Sequence, residues 1–519
     1  MARSDVRTGP RDMLYLVLLR SVCACLLLLF LTAASWRGDA TARRPPPYLV
    51  LIVMDGFRPD YATLAPMHHL RTLMARGMTY DGAWVGHMES ETPTGHATIV
   101  TGVYPRKHGV VGFGWRNPAT GQFVYTPTDL GAIRAGALAR TIEQSGVPTI
   151  SDLIHAHEPH DVIASMSAEK YYAAAAMGTG ADYVLYGRET KRGERPALAG
   201  PNAPPASTHF MSVSSSDSTP VLQDQFSASL AIQLARTIRP RALLINLPGA
   251  DIAGHLNGAM RDPAGMAPII RGDDWAIGRI VDAYRELGLL DRTLFVVTAD
   301  HGMAANDHTV PIHRMYAAAR AAHGLALDQE YRVTAGSIWL RDPSRAAAVA
   351  SAMEAQHFPH VEGALYRSSL DGPFVPEAQT ALRLSHPLLQ AYLDLADTEA
   401  GPTGPQVVLP YDEATTGLSL KGRKRLGSHG GFSWGVQHIP LVLTGPGVRH
   451  GVSHFPAELV DVAPTIERLL GLTVPGGVDG VILADGLRQA KSVDRTMQEK
   501  VRARRAQDTR ALEEYSRAH

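Results

Sequence analysis

Tyr48-Leu-Val-Leu-Ile-Val-Met54 is an unbroken apolar run that stops at Asp55-Gly56. A run of that length without a polar residue is what a strand buried on both faces requires, and such strands belong to parallel sheets. Two more runs repeat the design. Ala242-Leu-Leu-Ile-Asn-Leu247 leads to Asp251, and Thr293-Leu-Phe-Val-Val-Thr298 leads to Asp300-His301-Gly302. Helical patterns separate them, at 226–238 and 273–287. Strands alternating with helices predict an α/β fold whose central sheet is mainly parallel and flanked by helices. Ligands of such sheets gather beyond the carboxyl ends of the strands. Three acidic residues at three strand ends therefore predict one shared site.

Outward from these runs the pattern changes twice. Residues 316–425 lack the strand-then-acid arrangement and read as a smaller α+β insert or cap. The core resumes at 426–490, with a strand at His438-Ile-Pro-Leu-Val-Leu-Thr444 and a helix over 461–470 closed by Gly471. Its first part spans 43–315, interrupted by a Pro-, Ala- and Ser-rich loop at 194–220. The last segment, 491–519, is charged and helix-prone and is expected at the periphery. No internal repeat is present.

The N-terminus is different in kind. Arg3, Arg7, Arg11 and Arg20 precede or interrupt an apolar stretch at 14–34, followed by Ala40-Thr-Ala42. Residues 1–42 thus read as a secretory signal peptide, or as an uncleaved membrane anchor if the stretch is retained. Either implies an extracytoplasmic protein. Both cysteines, Cys23 and Cys25, lie inside this segment, so a mature chain has neither disulfides nor cysteine chemistry. Lys plus Arg and Asp plus Glu balance at 50 each across 519 residues. That balance gives no sign of a nucleic-acid-binding surface.

The candidate chemistry lies in acid and histidine pairs. Asp251 and His255 are four apart, Asp300 and His301 are adjacent, Asp55 ends the first strand, and His429 sits in the flexible Gly427-Ser-His-Gly-Gly431. Carboxylate oxygens with imidazole nitrogens suit zinc, and two cations can clamp the attacking and leaving oxygens of a phosphoryl displacement. Glu89-Ser-Glu-Thr-Pro-Thr-Gly-His96 reads as a loop entering a helix, with Thr92 as N-cap and Pro93 at the first helical position. A hydroxyl there faces a helix dipole that favours phosphate.

These motifs carry a resemblance. Met54-Asp-Gly-Phe-Arg-Pro-Asp-Tyr61, the segment from Thr92 through His96 to Tyr104-Pro-Arg-Lys-His-Gly109, Asp251-x-x-x-His255, Thr298-Ala-Asp-His-Gly-Met303 and Gly427-Ser-His-Gly430 resemble the nucleotide pyrophosphatase/phosphodiesterase branch of the alkaline phosphatase superfamily. The match in order and spacing runs over about 48–485. The resemblance implies an alkaline phosphatase-like fold and two zinc ions. One would be held by Asp55, Thr92, Asp300 and His301, the other by Asp251, His255 and His429. It also implies that Thr92 attacks a small phosphate-ester substrate to give a phospho-threonine intermediate. Ser90 and Thr94 are the neighbouring alternatives as nucleophile. A sulfatase is not expected, because Thr92-Pro-Thr-Gly95 lacks the C/S-x-P-x-R pattern. Relatives carry an Asn five residues beyond the position of His108, where it touches phosphate; here that residue is Phe113. Lys170 or Arg116 is the cation expected to replace that contact, and stacking of Phe113 on an aromatic or apolar leaving group is the alternative. The leading expectation is phosphodiester hydrolysis. A phosphomonoesterase, a phosphonate hydrolase and an envelope phospho-group transferase are the alternatives.

Overall fold

The chain is described by a computed structural model over residues 47–125, 136–186, 219–323, 330–334, 336–412, 415–416, 425–490 and 494–519. The N-terminal segment, read from sequence as a signal peptide or anchor, and most of the 194–220 loop lie outside the described residues. No helix among the described residues is long and apolar enough to cross a membrane.

Eight strands form the central sheet: β1 (Tyr48–Met54), β2 (Met78–Tyr80), β3 (Ile163–Ser167), β4 (Tyr183–Tyr186), β5 (Ala242–Leu247), β6 (Thr293–Thr298), β7 (Leu441–Thr444) and β8 (Gly451–Ser453). Their order is β8-β2-β7-β6-β1-β5-β3-β4. β1 lies near the middle, with Leu51 opposite Leu244 on one side and Val296 on the other, both pairings parallel. Its residues are fully buried from Leu49 to Met54, which is why the run tolerates no polar side chain. β7 pairs antiparallel with both β6 and β2, so it alone is reversed and the sheet is otherwise parallel. The reversed strand begins only at Leu441. Pro440 has no N–H to give a ladder, and its carbonyl instead accepts the Thr298 hydroxyl at 2.9 Å.

Helices α1 (His68–Arg76), α2 (Thr92–Thr101), α3 (Tyr171–Met177), α4 (Pro220–Thr237), α5 (Gly249–Asn257), α6 (Pro263–Glu286), α7 (His386–Asp397), α8 (Val462–Leu470) and α9 (Arg495–Ala518) include those that flank the sheet. The 273–287 pattern marks only the second half of α6. The helix starts earlier because the Asp262 side chain accepts the Gly265 N–H at 2.9 Å and Pro263 opens the first turn.

Residues 330–408 build a second, five-stranded antiparallel sheet from Glu330–Thr334, Ser337–Leu340, Leu365–Tyr366, Val375–Pro376 and Val407–Val408. It packs with helices Ile312–His323 and Ala346–Glu354 around its own apolar cluster, which includes Val310, Ile338, Val349 and Val407. The C-terminal segment, expected as a charged helical tail, forms α9 over most of its length. α9 buries Arg505, Asp508, Ala511 and Leu512. Its apolar pair joins a cluster with Trp84, Met88, Leu388 and Tyr392. High charge content hid this, because the buried face is centred on an arginine.

Candidate metal centre

β6, β1 and β5 are neighbours, so their carboxyl ends stand side by side. Asp55 follows β1 directly, Asp300 comes two residues after β6, and Asp251 lies in the first turn of α5. Gly56 makes the approach possible. Its φ is +67°, and a Cβ there would lie 2.9 Å from the Asp251 Cα. β3, next to β5, ends just before Lys170, which caps α3. Four adjoining strands thus deliver three carboxylates and one ammonium to one place.

The donor atoms form two groups, Asp251–His255–His429 and Asp55–Asp300–His301, each with its atoms within 4.8 Å of one another. All six side chains are buried. Thr92 stands against the Asp55–Asp300–His301 group and Lys170. Its hydroxyl is 3.4 Å from Asp55 Oδ1, to which it donates, and 3.2 Å from His301 Nε2. The N-cap of α2 is Glu91, in extended conformation, and Thr92 is the first helical residue. This differs from the expected cap, because the Thr92 hydroxyl faces the acid and histidine cluster rather than its own helix.

Hydrogen bonding fixes the imidazoles. Nδ1 of His255 meets Gly427 O at 2.8 Å, Nδ1 of His429 meets Ser90 O at 3.1 Å, and Nδ1 of His301 meets Gly302 O at 2.8 Å. A carbonyl only accepts, so each Nδ1 carries the proton and each Nε2 presents a lone pair. Those lone pairs face carboxylate oxygens. His255 and His429 Nε2 lie 3.3 and 3.2 Å from Asp251 Oδ1, and His301 Nε2 lies 3.4 Å from Asp300 Oδ2. Two acceptors at that distance repel unless a cation lies between them. Asp251 Oδ1 and Asp300 Oδ2 are buried and have no hydrogen bond among the described residues, although His96 Nδ1 lies 3.3 Å from Asp300 Oδ2. Burial, with His301 nearby, pushes His429 down to about 3, keeping it neutral as a ligand must be. Burial and the Asp300 charge push Asp55 up to about 6. Both residue groups therefore fit a divalent cation, and their oxygen and nitrogen donors fit zinc.

Lys170 is 6% exposed, unlike a surface helix lysine. Its ammonium donates to Asp251 Oδ2, to Asp55 Oδ1 at 3.2 Å and to Thr92 Oγ1 at 3.5 Å. Burial opposes its charge, but Asp251 and Asp55 hold it well above the usual lysine range. Arg116 is elsewhere. It ends the short strand Gly114–Arg116, and its guanidinium donates to Leu340 O and reaches Gln406 Oε1 at 3.5 Å. Of the two cations expected at the phosphate, the fold brings only Lys170 among the donor atoms. The Phe113 ring packs edge-on against Tyr172 with centroids 5.3 Å apart, and the Tyr172 ring centroid lies 5.8 Å from Lys170 Nζ. Ser90 turns its carbonyl to His429, and the Thr94 hydroxyl accepts the Gly112 N–H at 2.6 Å. Neither of these rival nucleophiles makes the contacts with Asp55 and His301 that Thr92 makes.

Sequence reasoning missed Asn246 and His96 as supports. Asn246 Nδ2 donates to Asp55 Oδ2 at 2.9 Å and meets His96 Nε2 at 3.1 Å, while Ser167 Oγ donates to Asn246 Oδ1 at 2.8 Å. His96 Nδ1 meets Thr92 O at 2.8 Å. The signal was available, since Asn246 is the one polar residue in an otherwise apolar run. Arg425, also missed, places Nη1 3.2 Å from His255 Nε2.

The fold is that of the alkaline phosphatase superfamily. The chain belongs to the type I phosphodiesterase / nucleotide pyrophosphatase family, whose model matches residues 49–385, and it is a metal-dependent hydrolase of that type. Human bis(5'-adenosyl)-triphosphatase ENPP4 is 22% identical over 452 residues, covering 84% of this chain and 81% of that protein. Wild-type alkaline phosphatase PafA shares the fold, with a TM-score of 0.63 at 16% identity over 85% of this chain and 99% of that one. Murine ectonucleotide pyrophosphatase / phosphodiesterase 5, solved in complex with AMP, superposes with a TM-score of 0.57 at 15% identity over 83% and 97%.

Proposed function

We propose that this protein is a two-zinc phosphoesterase that hydrolyses phosphodiesters, nucleotide-type esters among them, through a phospho-threonine on Thr92. The observation that carries the reading is the buried Thr92 hydroxyl, set within 3.2–3.5 Å of Asp55, His301 and Lys170. Bound at Asp55–Asp300–His301 and Asp251–His255–His429, two zinc ions supply Lewis acidity and neutralise charge on phosphate oxygens. The chain does the rest. Thr92 Oγ1 forms a bond to phosphorus as the bond to the leaving oxygen breaks, and the hydroxyl proton leaves toward Asp55 Oδ1. The phospho-threonine formed from a diester keeps the second ester group, and water then cleaves its bond to Thr92, releasing that group as a phosphomonoester and restoring the hydroxyl. The N-terminus of α2 favours the phosphate through its dipole. Lys170 stands where non-bridging oxygens collect and supplies the donor that Phe113 cannot.

The Phe113–Tyr172 pair favours an aromatic or apolar leaving group, which separates diesters from small monoesters. A panel of monoesters, diesters and phosphonates, run on wild type, Lys170→Ala and Arg116→Ala, tests the reading. Diesters are expected to be the best substrates. Lys170→Ala is expected to lower kcat/KM by about 10²–10³, the usual loss for one donor aimed at developing charge. Arg116→Ala should stay within a few-fold. Faster turnover of monoesters or phosphonates, or a fully active Lys170→Ala, would overturn it.

The export segment read at the N-terminus supports an extracytoplasmic location. The expected mature protein begins after residue 34 and is recovered outside the cytosol. Cytosolic protein retaining Met1 would contradict that.

A further inference from the structure

We infer that Arg505, on the C-terminal helix, is a positioning residue for the Thr92 nucleophile. The inference rests on Thr92 being the nucleophile, as proposed above. Thr92 is delivered by the segment 84–91, which is held between two others. Trp84 N donates to Ala457 O at 2.8 Å, Val85 N to Gln437 O at 2.8 Å, and Gly86 N to Gln437 Oε1 at 3.2 Å. Glu458 presses on this segment from one side. Gly86 has a φ of +77°, and a Cβ there would fall 2.5 Å from Glu458 Cγ, so only glycine admits the contact.

The same Glu458 reaches the other end of the nucleophile helix. Its Oε2 accepts the Tyr104 hydroxyl, and Tyr104 lies just beyond Gly102, which caps α2. One carboxylate therefore clamps the entry to α2 through Gly86 and the exit from α2 through Tyr104. Glu458 Oε1 is 2.8 Å from Arg505 Nε, and Arg505 also grips Asp461 with Nη1–Oδ2 at 2.6 Å and Nη2–Oδ1 at 3.2 Å. Asp461 accepts the Glu458 N–H at 2.9 Å, which ties the carboxylates together. Glu458, Asp461 and Arg505 are all buried. Buried carboxylates lose ionisation when their counter-charge is removed, and burial already pushes Glu458 up to about 7 against the pull of Arg505.

The helix that carries Arg505 has its own anchors. Asp494 caps it, Arg504 pairs with Asp394 of α7 at 2.8 Å, and Ala511 and Leu512 share an apolar cluster with Trp84 and Met88 of the nucleophile segment. The C-terminal helix thus holds the nucleophile segment twice, by packing on Trp84 and Met88 and by charge through Glu458.

The test is Arg505→Gln and Arg505→Lys in the full chain, read by kcat and KM on a diester, metal content, thermal melting and backbone amide exchange of 84–91. Arg505→Gln is expected to lower kcat about 10- to 100-fold, as small misplacement of a reacting group does, with KM and metal content near wild type. Arg505→Lys, which keeps the charge but not the fork, should fall between. Amides of 84–91 should exchange faster in Arg505→Gln. A variant that melts cooperatively at a lower temperature yet keeps wild-type kcat and exchange would overturn the inference, because a merely structural cation gives that result. If Arg505→Gln does not fold, Tyr104→Phe releases the same clamp without stranding a charge, and unchanged kcat and exchange there would also overturn it. If wild type turns over no diester, the functional reading fails instead, and amide exchange still decides the role of Arg505.

Discussion

Thr92→Ala is expected to lower kcat by on the order of 10⁶, the scale seen when a covalent nucleophile is removed from another hydrolase. A methyl group cannot attack phosphorus, and no other hydroxyl among the described residues makes the same contacts. Ser90 offers its carbonyl to His429, and the Thr94 hydroxyl is engaged by Gly112 N. The loss should be confined to chemistry. Thr92 is fully buried, and alanine removes only its hydroxyl and one methyl, so folding and metal content should stay near wild type. Steady-state kinetics with metal analysis and thermal melting check this. Near-wild-type kcat in Thr92→Ala, or a dead Ser90→Ala or Thr94→Ala, would contradict it.

Chelation is expected to abolish turnover and lower the melting temperature by roughly 10 °C. Asp55, Asp251 and Asp300 are buried together, with Lys170 the only nearby ammonium among the described residues. Without metal, the Nε2 lone pairs of His255, His301 and His429 oppose carboxylate oxygens. Two ions each present at about a thousandfold above Kd contribute roughly 8 kcal/mol. For a chain of this length that corresponds to about 1–2 °C per kcal/mol, half the value for a domain half as long. The effect should reverse on adding zinc. Unchanged activity and melting after exhaustive chelation, with one metal or none bound, would contradict two-metal binding.

Much of this was legible in the sequence because it rests on buried strands. The apolar runs leading to Asp55, Asp251 and Asp300 are adjacent strands, and the parallel sheet follows from their nearly continuous apolar character. Lys170 was legible only as a candidate. Its burial depends on β3 lying next to β5, a non-local pairing that local sequence does not encode. Arg116 shows the reverse. It is close to the nucleophile in sequence, yet the short hairpin Gly114–Arg116 and Phe123–Tyr125 carries its side chain to Leu340 and Gln406. The docking of α9 was hidden for another reason. Its contact with the core is made by Arg505 as much as by Ala511 and Leu512, and a charged face reads from sequence as a solvated one.

The most direct test is to quench the protein in acid during turnover of a diester and locate the phosphate by peptide mass spectrometry. The account predicts one adduct on the peptide containing Thr92, a phosphoryl group that still carries the ester group not lost as leaving alcohol, placed on Thr92 itself, and none in Thr92→Ala. Phosphate on Ser90, Thr94 or a histidine, or full turnover with no phosphopeptide at any quench time, would contradict it.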